Sequence, residues 1–210
     1  KKDSYVNKAY QDFTMALSLD QNYIQAWSNR AILLYNTGRV EESLNDFNVV
    51  LSIDSLYADG LIGRANTLST LNKFEESLPD YNAYLQIKPE DTKAYVWRAI
   101  ANANLKRFDL AFADLKYALQ KDNTDYEAWY WTGICHYNLA NYDSALYNFD
   151  QSIQRKQDFY EVYAWKALAL HKLKRFDEAL QVFAHAISMN PADPANYVNR
   201  AITLYNMNRY

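Results

Sequence analysis

Cysteine is all but missing from this chain. Cys135 stands alone, which excludes an internal disulfide framework and leaves the redox compartment open. Glycine and proline are also scarce, four of each in 210 residues, as suits a helical chain with short turns. The glycines are not clustered, so there is no phosphate-cradling loop. Neither sign of charge is in marked excess. The net charge of −3 and pI of about 5.6 offer no basic stripe for phosphate neutralisation, which argues against a nucleic-acid partner. No apolar run approaches the roughly 18 residues of a membrane span, so direct membrane insertion is not expected. No signal peptide is visible, and that says nothing, because residue 1 falls inside a repeat. The three histidines, His136, His171 and His185, fall on different helix faces, so the expected metal and cofactor complement is none.

What the chain does have is a period. Residues 126–159 find themselves again 34 residues away in either direction, with no insertion or deletion. Full copies span 24–57, 58–91, 92–125, 126–159 and 160–193, with half copies at 1–23 and 194–210. Numbering each copy 1 to 34, the first helix, A, is predicted over positions 1 to 14. Its apolar stripe is at positions 4, 7, 8 and 11. Position 8 is small throughout: Ala31, Ala65, Ala99, Gly133, Ala167 and Ala201. The second helix, B, is predicted from about position 18 to 31. Its stripe is at positions 20, 24 and 27, for example Ala145, Phe149 and Ser152. The A–B link centres on position 15: Gly38 and Asn72 suit a left-handed helix end, as does Asn208, whereas Lys106, Ala140 and Lys174 carry no such signal. Asp91, Asp125 and Asp193 are candidate N-caps. Pro79, at position 22, should remove a hydrogen bond or bend the first turn of its helix. The acidic residues at positions 18 and 19, such as Glu41 and Glu42, favour the start of helix B and do not form an acid–base pair.

This pattern of small and aromatic residues at positions 4, 8, 11, 17, 20, 24 and 27, with Pro89 and Pro191 at position 32, resembles the tetratricopeptide repeat (TPR) family. The resemblance implies an all-α, right-handed superhelical solenoid of about twelve helices in antiparallel pairs. It also implies a single array over 1–210, with the A helices lining a concave groove that binds proteins. Tyr210 falls where another B helix should begin, so the chain is expected to be a piece of a longer protein whose uncapped ends invite self-association. Cytoplasm and periplasm are both compatible with the sequence.

Position 7 departs from the family, which usually has Leu there. It carries Arg30, Arg64 and Arg98 wherever position 23 carries Asp46, Asp80 and Asp114. A charge on a buried stripe needs a partner, so an Arg–Asp bridge between A and B of one repeat is predicted, with a structural role.

Position 6 reads Asn29, Gly63, Trp97, Trp131, Trp165, Asn199. Three tryptophans in consecutive repeats form a ladder, flanked by Tyr130, Ile134, Tyr137 and His171. An exposed aromatic surface of this kind marks a binding site. The same indoles could instead fill the seam between neighbouring A helices, where positions 3 and 10 are small. Asn104 and Asn138, at position 13, could hold a peptide backbone or act locally at the helix end. The resemblance also allows two of the family's sub-patterns to be tested. Asn29, Asn66 and Lys93 each match one element of the chaperone-tail carboxylate clamp, but never in succession. The Asn ladder of the sugar-transferring members is matched at position 6 only by Asn29 and Asn199.

The function expected is a non-enzymatic interaction scaffold that holds an extended peptide or helix of a partner protein in the groove, mainly across 92–193. One alternative is a regulatory or substrate-presenting arm of a larger enzyme or sensor. A weaker one is a glycan-binding groove of an export or envelope assembly, for which Glu127 and Glu161 are the only carboxylates near the tryptophans.

Overall fold

The computed structural model describes residues 2–207, with side chains over 4–207. Asn208 and Tyr210 lie outside the described residues. Twelve α-helices make up the described chain: α1 (Lys2–Leu19), α2 (Ile24–Asn36), α3 (Val40–Ile53), α4 (Ala58–Thr70), α5 (Phe74–Ile87), α6 (Thr92–Asn104), α7 (Phe108–Lys121), α8 (Tyr126–Asn138), α9 (Tyr142–Arg155), α10 (Tyr160–Lys172), α11 (Phe176–Met189) and α12 (Pro194–Met207). They pack as antiparallel pairs. Every even-numbered helix from α2 on begins at position 1, and every odd-numbered one from α3 begins at position 17, one residue earlier than the apolar stripe alone suggests.

The chain divides into two compact units, α1–α6 ending at Lys106 and α7–α12 starting at Arg107. Within each unit every helix packs on its sequence neighbour. The A helices also touch one another: α2 with α4, α4 with α6, α8 with α10, and α10 with α12. Among the described residues of either unit, no two B helices make such contact. The A side is therefore the tighter, inner side of each unit.

The core repeats with the period. Position 24 is a row of fully buried large side chains, Phe47, Tyr81, Leu115, Phe149 and Phe183. Position 8 is small, and it is buried at Ala31, Ala65, Ala99, Gly133 and Ala167. At Gly133 an added Cβ would collide with the Phe149 ring, so this glycine is required by close packing.

The turns repeat as well. Position 15 is left-handed in every described copy: Gly38 at φ 79°, Asn72 at 58°, Lys106 at 60°, Ala140 at 60° and Lys174 at 62°. The two lysines and the alanine thus do the same work as the glycine, contrary to what their residue type signals. The position 16 amide then reaches back to the position 11 carbonyl, as in Arg39 N to Leu34 O at 2.9 Å and Asn141 N to His136 O at 2.9 Å. That is a Schellman closure, and its hydrogen bonds offset the left-handed strain. The B-to-A turns use Asx geometry at Asp20, Asp54 and Asp122, whose Oδ1 atoms accept the amide two residues on, each at 2.9 Å. The Asp91, Asp125 and Asp193 carboxylates accept first-turn amides of α6, α8 and α12. Pro79 sits inside α5, past its first turn, and the helix runs on through it.

A further device recurs at position 4. Trp27 Nε1 donates to Gln21 O at 2.8 Å, Trp129 Nε1 to Asn123 O at 2.9 Å, Tyr163 Oη to Gln157 O at 3.0 Å and Tyr197 Oη to Pro191 O at 3.2 Å. Each ring ties helix A to the turn that delivers it.

Ala140→Gly relieves left-handed strain in a turn whose hydrogen bonds are all backbone. It is expected to raise stability by about 0.5–1 kcal/mol, read as a higher urea midpoint at unchanged slope. A lowered midpoint would contradict this account of the turn.

Candidate functional site

The inner face is built on a buried charge system. Arg30 Nε donates to Asp46 Oδ2 at 2.7 Å and Arg30 Nη2 to Asp46 Oδ1 at 2.9 Å. Arg64 and Asp80 repeat this fork at 2.7 and 2.8 Å. In each pair the side-chain hydrogen bond from arginine to aspartate raises the arginine pKa, and burial works against it. The remaining guanidinium nitrogen reaches position 25 of the preceding copy: Arg30 Nη1 to Thr14 Oγ1 at 3.2 Å, Arg64 Nη1 to Asn48 Oδ1 at 3.2 Å and Arg98 Nη1 to Asn82 Oδ1 at 2.7 Å. Where position 23 is Val182, Lys166 Nζ turns wholly to position 25 and donates to Asp150 Oδ1 at 2.6 Å. The cation at position 7 thus joins successive repeats as well as A to B. This inter-repeat half is not apparent from the pairing of positions 7 and 23.

The tryptophan column is half-buried. Trp131 and Trp165 pack on a core cluster that includes Phe149, Val162 and Leu170. Trp165 stands edge-on to Tyr137 with centroids 5.2 Å apart. Tyr130 meets Trp131 at 5.6 Å and Phe159 at 5.0 Å. Burial, and then Glu161, push the Tyr130 phenol above its usual range, with the nearby Trp165 indole acting in the opposite direction. Trp165 therefore plugs the seam between α8 and α10 while keeping one edge open. Ile134 is buried inside the cluster. Asn104 and Asn138 spend their amides on Ile100 O and Ile134 O, each at 2.8 Å, closing their own helix ends.

His171 is also committed. Thr203 Oγ1 donates to Asn199 O at 2.8 Å, so at 2.9 Å it accepts from Nδ1–H of His171. The other ring nitrogen, Nε2, faces Asn206 Nδ2 at 3.4 Å. The histidine therefore links α10 to α12 as a neutral ring.

The first unit differs. Trp97 fills the seam beside α4, packed with Ile62. One seam earlier, Gly63 stands in the tryptophan column, and any Cβ there would overlap the Phe47 ring. The result is a cavity of about 310 Å³ lined by Ile32 and Tyr35 of α2, Ile62, Gly63 and Asn66 of α4, and Trp97 of α6, with Phe47 and Tyr84 behind and Asp59 and Asp91 at its edge. A second cavity of about 360 Å³ adjoins it, sharing Tyr35, Asn66 and Trp97 and reaching Thr70 and Ile100. Tyr81 Oη donates to Asn66 Oδ1 at 2.7 Å, which leaves the Asn66 Nδ2 group with no acceptor among the described residues. Of the groove residues expected from sequence, Trp97 borders both cavities and Ile100 the second, whereas Trp131, Trp165, Tyr130, Ile134, Tyr137, Asn104, Asn138 and His171 border neither. The glycine that interrupts the tryptophan column was the available signal for the rest.

Among the described residues no group of three or more His, Cys, Asp or Glu is placed to hold a metal ion, and no helix is long and apolar enough to cross a membrane. Cys135 is buried, and burial raises its pKa to about 12.

Profiles described as tetratricopeptide repeat match residues 62–126, 127–155 and 160–193. The chain belongs to the tetratricopeptide repeat family. Among solved structures, it is similar to YrrB, a TPR protein with an unusual peptide-binding site, at 20% identity and TM-score 0.66 over 90% of this chain and 97% of that one. A Thermus thermophilus TPR protein, TTC0263, matches at 22% identity and TM-score 0.71, over 87% of this chain and 99% of that one. A chain of the APC/C hetero-tetramer Cut9–Hcn1 matches at 15% identity and TM-score 0.82 over 96% of this chain, which spans 40% of that one. No curated protein sequence matches significantly. Arrays of TPR units act as protein–protein interaction scaffolds, and this TPR chain has that architecture.

Trp165→Ala removes a seam plug and should destabilise the second unit by about 2–4 kcal/mol, visible as a lower urea midpoint. An unchanged midpoint would mean that the indole serves only a guest. The pKa of His171 is lowered by burial and then by Lys172, and that of His136 by burial. The unfolded chain therefore takes up protons near pH 6.5, where the folded chain does not. Stability should be complete above that pH and fall as pH drops towards the lowered folded values. The double variant His136→Leu/His171→Gln should flatten the melting-temperature profile between about pH 7 and 5. An equally steep profile would refute the assignment.

Proposed function

We propose that this chain is a non-enzymatic scaffold that holds an extended peptide of a partner protein along its A-helix face, seated over the paired cavities of α2, α4 and α6. The supporting observation is Asn66. Its Nδ2 group has no acceptor among the described residues, and Asn66 lines both cavities together with Tyr35 and Trp97. An extended backbone offers the carbonyl that such an amide needs, whereas a helical guest has already used its own. The aromatic walls supply the apolar anchor area usual at interface centres. The peptide-binding site of YrrB lends support at the level of the family. In the second unit, the open edges of Trp131 and Trp165 extend the same kind of surface, with a structural duty already attached.

Random decapeptides displayed on phage and selected on the intact chain provide the test. A benzophenone amino acid at Thr70, exposed on α4 at the edge of the second cavity, should crosslink the selected peptides, and one at Leu110, exposed on the B helix α7, should not. Asn66→Ala should weaken them about five- to tenfold by fluorescence anisotropy. Crosslinking from Leu110 with none from Thr70, or no loss with Asn66→Ala, would overturn the reading.

A further inference from the structure

The cavity at Gly63 has a chemistry of its own, and this inference rests on the peptide-scaffold reading above. We infer that it is a specificity pocket for one cationic side chain of the bound peptide, arginine in preference to lysine.

The tryptophan column accounts for the space. At residues 97 and 165 an indole stands beside the preceding A helix; at 63 the column holds a hydrogen atom. Phe47 has moved its ring against the glycine, yet about 310 Å³ stays open. That lies at the small end of ligand pockets and suits a single inserted side chain rather than a whole ligand.

The charge fits a cation. Two carboxylates, Asp59 and Asp91, border the pocket, and no lysine, arginine or histidine lines it. Asp91 is already engaged: Oδ1 caps α6 through the Lys93 and Ala94 amides, and Oδ2 accepts from Tyr84 Oη at 2.6 Å. Asp59 has no ion-pair partner among the described residues and is exposed on the first turn of α4. Its charge is available to a guest.

The walls discriminate between cations. Tyr35, Phe47, Tyr84 and Trp97 supply aromatic wall beside the aliphatic Ile32 and Ile62. A guanidinium is planar and weakly hydrated, so it can lie against a ring and still offer a fork of N–H donors to a carboxylate. An ammonium is a compact, strongly hydrated charge and loses more on entering such a pocket. The chain contains one such arrangement itself, with Arg30 4.7 Å from the Trp27 ring centre while paired to Asp46. The peptide backbone would cross Asn66, one turn along α4 from Gly63, and the arginine would drop into the cavity towards Asp59.

The phage-selected peptides and the intact chain test this directly. The selected sequences should share one arginine. Replacing it by lysine should weaken anisotropy-measured binding about threefold, and by neutral, isosteric citrulline at least about tenfold. Asp59→Asn should reproduce most of the citrulline loss on the protein side, and Asp59→Lys should abolish selection of arginine. Ile32→Trp, a change at an exposed position on the pocket wall, should block binding without lowering the melting temperature. Peptides lost with Ile32→Trp but indifferent to Asp59→Lys and to citrulline would overturn the cationic pocket while leaving the scaffold reading intact. Peptides insensitive to Ile32→Trp as well would overturn both.

Discussion

The fold depends on how the seam between consecutive A helices is filled. Each helical pair exposes apolar surface that only the next pair can cover, so stability resides in those seams. The buried row at position 24 and the small residues at position 8 are nearly uniform along the chain. Position 6 is the variable term. An indole there closes the seam and stiffens it with ring contacts, as Trp165 does against Tyr137. A glycine leaves a hole that the neighbouring Phe47 ring only partly reclaims. One column therefore sets both where the array is solid and where it is open.

The buried cations at position 7 follow from the same geometry. A guanidinium on an inward stripe would be intolerable alone, and its cost is offset only by complete hydrogen bonding. The fork to position 23 satisfies two nitrogens, and the bond to position 25 of the preceding copy satisfies a third. Lys166 shows which bond is dispensable. With Val182 opposite, it gives up the intra-repeat partner and keeps the inter-repeat one. The charge system thus ties neighbouring repeats in register, a task that apolar contacts alone perform loosely.

The period, the helix pairing and the carboxylate caps were legible in the sequence because each is a local pattern multiplied by repetition. The Arg30–Asp46 and Arg64–Asp80 partners were legible because two columns vary together. What escaped was of two kinds. Position 15 misled at Lys106, Ala140 and Lys174: residue type argues against a left-handed turn, but the Schellman hydrogen bonds are made by backbone, which every residue supplies. The cavities escaped because attention goes to the residues that are large. Trp131, Ile134, Asn138 and His171 stand out in sequence, and the fold commits each wholly or partly to packing or to a helix end. Gly63 is visible in sequence as the glycine at position 6, and Asn66 as a lone match to the clamp pattern, but neither signals a cavity until the fold leaves the seam beside Ile32 open.

The two observations connect through what a repeat array can vary without breaking. Positions 8, 24 and 15 must keep their geometry in every copy, or the next copy cannot dock. Position 4 is looser: tryptophan at 27 and 129 and tyrosine at 163 and 197 reach the turn six residues back, whereas Leu61 is buried without that tie. Position 6 is under a weaker constraint still, because a seam can be filled from either side. Filled by its own chain it adds stability; left open it gives that surface to a guest, and the carboxylate beside it decides which guest. Binding specificity in such an array therefore falls at the positions where the repeat departs from itself.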